Sequence, residues 1–325
     1  MIFTNLADSP QYIDKTITLI ESSFEYLDEN SFQIDFYPLI KKDNHNQCYI
    51  LIDNNEVLAH IGVKKRSLTI NNKNFPFTMY GAIAVDENYR GKGIFKYLFN
   101  KILPLHQSTF HLLWSDKVEL YERFGFLPCI ELNEYGQKSS DHGYKIKKTN
   151  LSLLSDNELD KIKELYHMSE ELRVERSAVD WNDLTQINSA AIYLIFDQSS
   201  EIANYFIIGK GQDLEGIIHE YGYVDETFLN VFTNYGKLWT PLQFQTNCTT
   251  LFASLLKIGS HEQFIEFVRA YSNINIGQIN HEITFEFDGE LFQMKQNEFL
   301  HGIFGPGRFK ELSIPKICIS GLDSI

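Results

Sequence analysis

Val85-Asp86-Glu87-Asn88-Tyr89-Arg90-Gly91-Lys92-Gly93-Ile94-Phe95 is the stretch on which the fold turns. Before it, Phe75 to Val85 reads as a β-strand. After it, Ile94, Leu98, Ile102 and Leu105 recur at helical spacing, with Phe95 and Phe99 beside them. A strand therefore ends here and a helix begins. A helix start presents unpaired backbone N–H groups and the positive end of its dipole. Glycines let the backbone approach a phosphate closely, and Arg90 and Lys92 add charge. These residue types describe an anion site, best suited to a pyrophosphate. A tight glycine turn with solvated Arg and Lys is the plainer reading of the same residues. The spacing is not that of a P-loop, and Lys96 stands where Gly-x-Gly-x-x-Gly needs its third glycine. Hairpins, not a βαβ unit, precede the strand, which argues against a dinucleotide-binding half.

Upstream, Ser9 to Phe24 keeps helical spacing through Ile13, Ile17, Leu19, Ile20 and Phe24. Tyr49–Ile52, Glu56–Ile70 and Phe75–Val85 then read as three strands, joined by turns at Asp53-Asn54-Asn55 and Asn71–Asn74. Downstream, Pro104 should stop the helix near Ile102. Phe110–Trp114 follows as a strand, Lys117–Phe124 as a short helix with Gly125 as its C-cap glycine, and Phe126–Leu132 as a strand. A polar run from Asp141 to Asn150 suggests a boundary. Beyond it come helices at Leu159–Leu172 and Asp180–Ile187, a hairpin at Ile192–Phe196 and Glu201–Ile208, a strand at Gly216–Tyr223 and a helix from Phe228. Pro241–Thr246 and Thr250–Lys257 read as strand and helix. The order of elements repeats that of the first half. A helix at His261–Tyr271 and a hairpin turning at Asp288-Gly289 complete the chain. Leu312 to Ile325 is extended and apolar, which suggests a docked tail.

Composition narrows the function. The 325 residues are 43% hydrophobic and 22% charged, with 25 Phe and 17 Tyr, enough apolar area for a sizeable core. The net charge of −14 argues against a nucleic-acid surface, which needs clustered bases. There is no apolar run of membrane-spanning length and no leader-like start, so the expectation is a cytoplasmic protein without a membrane partner. Cys48, Cys129, Cys248 and Cys318 are too scattered for a disulfide frame or zinc site, and no metal is expected.

Two motifs together resemble the GNAT superfamily of acyl-CoA-dependent N-acyltransferases. Arg90-Gly91-Lys92-Gly93-Ile94-Phe95 is similar to the family's phosphate loop, Arg/Gln-x-x-Gly-x-Gly/Ala. Leu120-Tyr121-Glu122-Arg123-Phe124-Gly125-Phe126 is similar to its second signature, about 25 residues on. The resemblance covers residues 10 to 132. Phe95 departs from the small last position: it either crowds the cofactor or, one residue into the helix, turns to the core. Two GNAT-like halves and a small C-terminal piece resemble the enhanced-intracellular-survival type of acetyltransferase. The fold expected is therefore a mixed-sheet α/β GNAT fold. Its catalytic domain spans 1–148, a degenerate GNAT-like domain spans 149–258, and a small α+β segment spans 259–325. After Tyr223 the second half reads Val224-Asp225-Glu226-Thr227, acidic where phosphate would sit, so no CoA is expected there.

The resemblance implies direct attack of a neutral amine on acetyl-CoA within a ternary complex. Ile83, Ala84 and Val85 would pair with the pantetheine arm, and Gly91 to Lys96 with Arg90 would hold the pyrophosphate. Asp116 is assigned to the cofactor side by the same resemblance. Tyr121 would protonate the leaving thiolate; packing on Phe124 is its plainer role. No acid lies on Phe75–Val85 to serve as base. His60 on the neighbouring strand is one candidate, although lone strand histidines are more often structural. The carboxylate of Ile325 is the other, since tails of this type reach the active site. The acceptor would be a small-molecule or peptide amine, its identity and the oligomeric state being unreadable. A GNAT-fold acyl-CoA sensor or scaffold is the alternative from another class, and a longer acyl chain a third.

Overall fold

The computed structural model describes every residue except 28–29, 140–142, 273 and 305–315. The chain opens with strand β1 (Ile2–Asn5) and helices α1 (Ile13–Ser23), α2 (Phe32–Asp35) and α3 (Tyr37–Ile40). Strands β2 (Cys48–Asp53), β3 (Glu56–Ile70) and β4 (Lys73–Val85) follow as a meander. Its two hairpin turns put consecutive asparagines at positive φ: Asn54 and Asn55 at 47° and 64°, Asn71 and Asn72 at 49° and 62°. This backbone matches the right-handed twist of the strands, and Asn tolerates it better than most residues. Helix α4 (Ile94–Ile102) buries Ile94, Leu98, Phe99 and Ile102, and Pro104 follows in a 3-10 turn. Strand β5 (Phe110–Leu113), helix α5 (Val118–Glu122) and strand β6 (Leu127–Tyr135) complete the first half. Gly125 ends α5 at φ 83°.

The second half contributes β7 (Lys145–Thr149), α6 (Asp156–His167), β8 (Leu172–Arg173), α7 (Ala178–Leu184), β9 (Ala191–Phe196), β10 (Ile202–Ile208) and β11 (Ile217–Tyr221). Helix α8 (Glu226–Phe232), β12 (Lys237–Thr240) and β13 (Thr249–Ile258) come next. Helix α6 starts earlier than its apolar spacing suggests, because Ser155 and Glu158 form a capping box. Asp225, in the acidic run after Tyr223, accepts the Phe228 N–H and caps α8.

Three expectations fail, the first being the helix over Leu159–Leu172, which ends at His167 and leaves Leu172 to β8. Pro241–Thr246 is irregular, the strand having ended at Thr240. Thr250–Lys257 is not a helix but most of β13. Sheet order shows why: β1-β2-β3-β4-β5-β13-β6-β12-β11-β10-β9-β7. β13 lies between β5 and β6, antiparallel to both, from Leu255↔Leu113 on one side to Leu251↔Leu132 on the other. A vacant slot with two unpaired edges converts Thr-Thr-Leu-Phe-Ala-Ser-Leu-Leu into strand, since each backbone group gains a partner there. The two halves thus share one continuous twelve-stranded sheet.

The end of the chain packs helix α9 (His261–Ser272) and a three-stranded sheet, β14 (Asn275–Ile279), β15 (Glu282–Phe287) and β16 (Glu290–Lys295), followed by α10 (Gln296–Phe304). Phe264, Phe267, Phe299 and Phe304 are buried in one core with Phe75, Phe77 and Phe110 of the main sheet. Of the apolar tail, 312–315 lie outside the described residues. From β17 (Ile317–Cys318), which pairs parallel with β8, residues 317–324 are buried.

Candidate active site

The sheet opens at the end of β4. Its parallel pairing with β5 runs from Phe77↔Phe110 to Tyr80↔Leu113 and stops. On the other edge, pairing with β3 shifts register between Gly62↔Gly81 and His60↔Ala84, so Ala82 and Ile83 together oppose Ile61. This is a β-bulge, which bends the strand and strengthens its twist. Ala82 has φ 48°, a left-handed backbone that costs a residue with a Cβ about 1–2 kcal/mol. His60 holds it there: the fully buried ring donates from Nδ1 to the Ala82 carbonyl at 2.8 Å. Burial lowers the His60 pKa to about 4, so the ring is neutral near pH 7. Beyond the bulge Ile83 and Val85 face α4, whereas Ala84 faces the side covered by α1.

The loop after β4 is built from side chains that tie it down. Asp86 accepts the Asn88 N–H at 2.9 Å, and Arg90 Nε donates to the Val85 carbonyl at 3.1 Å. Gly91 and Gly93 take φ 75° and 79°, and a Cβ on either would meet no atom within 4 Å. The glycines therefore serve backbone conformation, and the space before them is open. The Tyr97 N–H bonds to the Gly93 carbonyl, leaving the first-turn N–H groups of Ile94, Phe95 and Lys96 without intrahelical acceptors. Lys92 lies over the Tyr89 ring at 5.0 Å, Lys96 is exposed and Ile94 is buried.

Phe95 does not cover this loop. Its ring stacks on Phe99 at 5.2 Å and meets Tyr121 and Phe124 edge-on at 5.6 and 5.4 Å. Of the two alternatives for this departure from the family pattern, the structure takes the core-facing one. The same cluster positions Tyr121, 6% exposed on α5, with its hydroxyl towards Ser115 and Asp116. Burial, reinforced by the Asp116 charge, raises the Tyr121 pKa to about 12. The phenol thus keeps its proton across the neutral range. Asp116 is exposed, in the turn leading from β5 to α5.

Ile325 lies against the other face of β4. A Cβ built on Gly81 would stand 2.9 Å from Ile325 Cγ1, and closer still to the main-chain carboxyl. Gly81 immediately precedes the bulge, so Ile325 touches β4 where β4 leaves β5. The tail reaches this point through a buried ion network. Arg176 Nε and Nη2 donate to Asp323 Oδ2 at 3.1 and 2.7 Å, and its Nη1 to Glu220 at 3.0 Å. Glu220 also accepts from Ser320 and Tyr205. Arg176 holds the Glu220 carboxyl down at about 2 against the opposing effect of burial.

Arg176, Glu220, Asp323 and the Ala82 bulge carry no local sequence signal, because each partner is remote in the chain. Among the described residues no group of three or more His, Cys, Asp or Glu could hold a metal, and no helix is long and apolar enough to cross a membrane.

Residues 9–129 match the family model described as acetyltransferase (GNAT) domain. No curated protein matches the chain. Solved structures share the fold over most of the length. A GCN5-related N-acetyltransferase from Anabaena variabilis is 13% identical, covering 93% of this chain and 89% of its own, with TM-score 0.61. Eis1 from Mycobacterium abscessus is 10% identical, with 96% and 91% covered and TM-score 0.60. A conserved protein of unknown function from Enterococcus faecalis is 13% identical, with 90% and 84% covered and TM-score 0.60. At these identities the likeness speaks for the fold.

Proposed function

We propose, from the premise that residues 9–129 form a GNAT acetyltransferase domain, that the protein moves an acetyl group from acetyl-CoA to a primary amine by direct attack in a ternary complex. The observation that carries this reading is the juxtaposition at Gly81: a main-chain carboxyl lies against β4 where β4 parts from β5. Gly91 to Lys96, with Arg90, would hold the pyrophosphate through free helix N–H groups and charge. The backbone of Ile83, Ala84 and Val85 would pair with the pantetheine arm, on the edge that β5 no longer occupies. Asp116, whose charge acts on the Tyr121 phenol, would serve the cofactor side.

In the reaction the amine lone pair forms a C–N bond to the thioester carbonyl carbon. The C–S bond breaks, and the leaving thiolate takes the Tyr121 proton. The amine proton passes to the Ile325 carboxylate, so charge and protons balance. Tyr121 keeps its proton at neutral pH and so has one to give to the leaving thiolate. His60 does not suit the base role, since its Nδ1–H is committed to Ala82 and its pKa is near 4. A net charge of −14 favours a cationic acceptor: a polyamine, an aminoglycoside or a lysine side chain.

Calorimetric titration of acetyl-CoA into the wild type and into Gly93→Glu tests the cofactor half. Binding by the wild type, lost in the variant, is expected, because the new carboxylate stands where phosphates belong. No binding by the wild type would sink the enzyme reading and leave a scaffold. Release of CoA thiol with spermidine, tyramine and Nα-acetyl-lysine amide then tests the transfer.

A further inference from the structure

Lys210 lies in the loop after β10 and is 1% exposed. Its ammonium donates to the carbonyls of Gly321 at 2.9 Å and Ser324 at 2.7 Å, and to Ser324 Oγ at 3.3 Å. All three ammonium protons are therefore committed to one turn of the tail. The Phe36 ring covers the ammonium at 4.1 Å. Burying a charge against neutral oxygens is costly, and a neutral donor would tie down a tail more cheaply. Desolvation lowers the Lys210 pKa to about 7, while Asp323, Asp213 and Asp35 support the charge and Arg66 opposes it.

The position of this charge suggests what it does. The Ser324 carbonyl belongs to the peptide unit that joins Ser324 to Ile325. Fixing that oxygen orients the peptide plane, and the plane sets where Ile325 points. The Arg176–Asp323 pair anchors the tail two residues earlier, and the Lys210 bond to the Ser324 carbonyl adds a hold on the last peptide itself.

We infer that Lys210 is a positioning residue: its buried ammonium locks the Ser324–Ile325 peptide and so holds the Ile325 carboxyl at Gly81. The catalytic half of this inference rests on the proposed role of that carboxyl as proton acceptor. A residue of the degenerate half then completes the site of the first half.

The test is Lys210→Met in the full chain, read in two ways. Carboxypeptidase Y release of Ile325, followed by mass spectrometry, reports the hold on the tail without any acceptor. Turnover of the fastest amine in the panel above, with calorimetry of acetyl-CoA, reports the consequence. Release of Ile325 is expected to quicken at least about tenfold and kcat to fall about 10- to 100-fold, with acetyl-CoA affinity unchanged. Combined with deletion of Ile325, Lys210→Met should cost nothing more than the deletion alone. Wild-type release and wild-type kcat would overturn the inference, as would additive losses in the double variant. If a glycine appended after Ile325 leaves kcat intact, the carboxylate reading fails by itself, and the release rate still decides whether Lys210 holds the tail. Should Lys210→Met not fold, Lys210→Gln, which keeps a donor without the charge, is read the same way. Loss of the fold in both would mark Lys210 as merely structural and overturn the inference.

Discussion

Gly81→Ala is the substitution that bears most directly on the site. A Cβ at this position would stand 2.9 Å from Ile325 Cγ1 and nearer to its carboxyl carbon and oxygen. Ordinary contact between carbon atoms is about 3.5–4.0 Å, so Ile325 must retreat by roughly 1 Å or more. The tail cannot yield as a whole, because Asp323 is held by Arg176 and Ser324 by Lys210. The last residue alone must therefore turn aside. A 1 Å misplacement of a reacting group costs about 100-fold in rate. We expect kcat to fall about 100-fold, with acetyl-CoA affinity within about twofold of wild type, since the phosphate loop is untouched. Overpacking should lower stability by about 1–3 kcal/mol. The assay is steady-state release of CoA thiol beside calorimetry and urea unfolding. Wild-type kcat in a folded Gly81→Ala protein would refute the role of the Gly81–Ile325 contact. So would a loss confined to acetyl-CoA binding.

Tyr121→Phe should reduce kcat about 10²–10⁴-fold with little change in acetyl-CoA affinity, the range for losing a general acid. In the wild type the pH–rate profile should show no loss of activity from Tyr121 below about pH 10, given its pKa near 12. Arg176→Met takes the shared guanidinium from the buried carboxylates of Glu220 and Asp323, leaving Asp323 the more distant Arg66 at 3.7 Å, and should cost about 3–5 kcal/mol in urea unfolding; a loss under 1 kcal/mol would mean the tail anchors elsewhere. His60, His106, His111 and His219 all have pKa values lowered to about 4 by burial. Between pH 6.5 and 4 the unfolded chain binds protons that the folded chain refuses, so stability should fall as pH drops through that window. A urea midpoint at pH 5 equal to that at pH 7.5 would contradict this.

The parts legible in the sequence were those whose causes are local. Alternation, asparagine turns and the glycines at 91 and 93 announce β2 to α4, because each depends on neighbours in the chain. Gly125, at φ 83° after α5, was legible for the same reason. β13 was misread because its state depends on a slot between β5 and β6 that no local pattern reveals. Phe95 was ambiguous in sequence and is resolved by partners on α5. The tail network was invisible: Arg176 and Asp323 approach only after the sheet has brought β11 beside the last turn.

The insertion of β13 also carries a timetable. β5 and β6 emerge early in synthesis, whereas β13 follows only after the roughly 115 further residues between Tyr135 and Thr249. At about 5–20 residues per second this interval is on the order of ten seconds. Throughout it the first half is a nascent chain with a missing central rung, and its two bare edges invite pairing with other chains. A chain ending before residue 249 would lack the strand that joins β5 to β6.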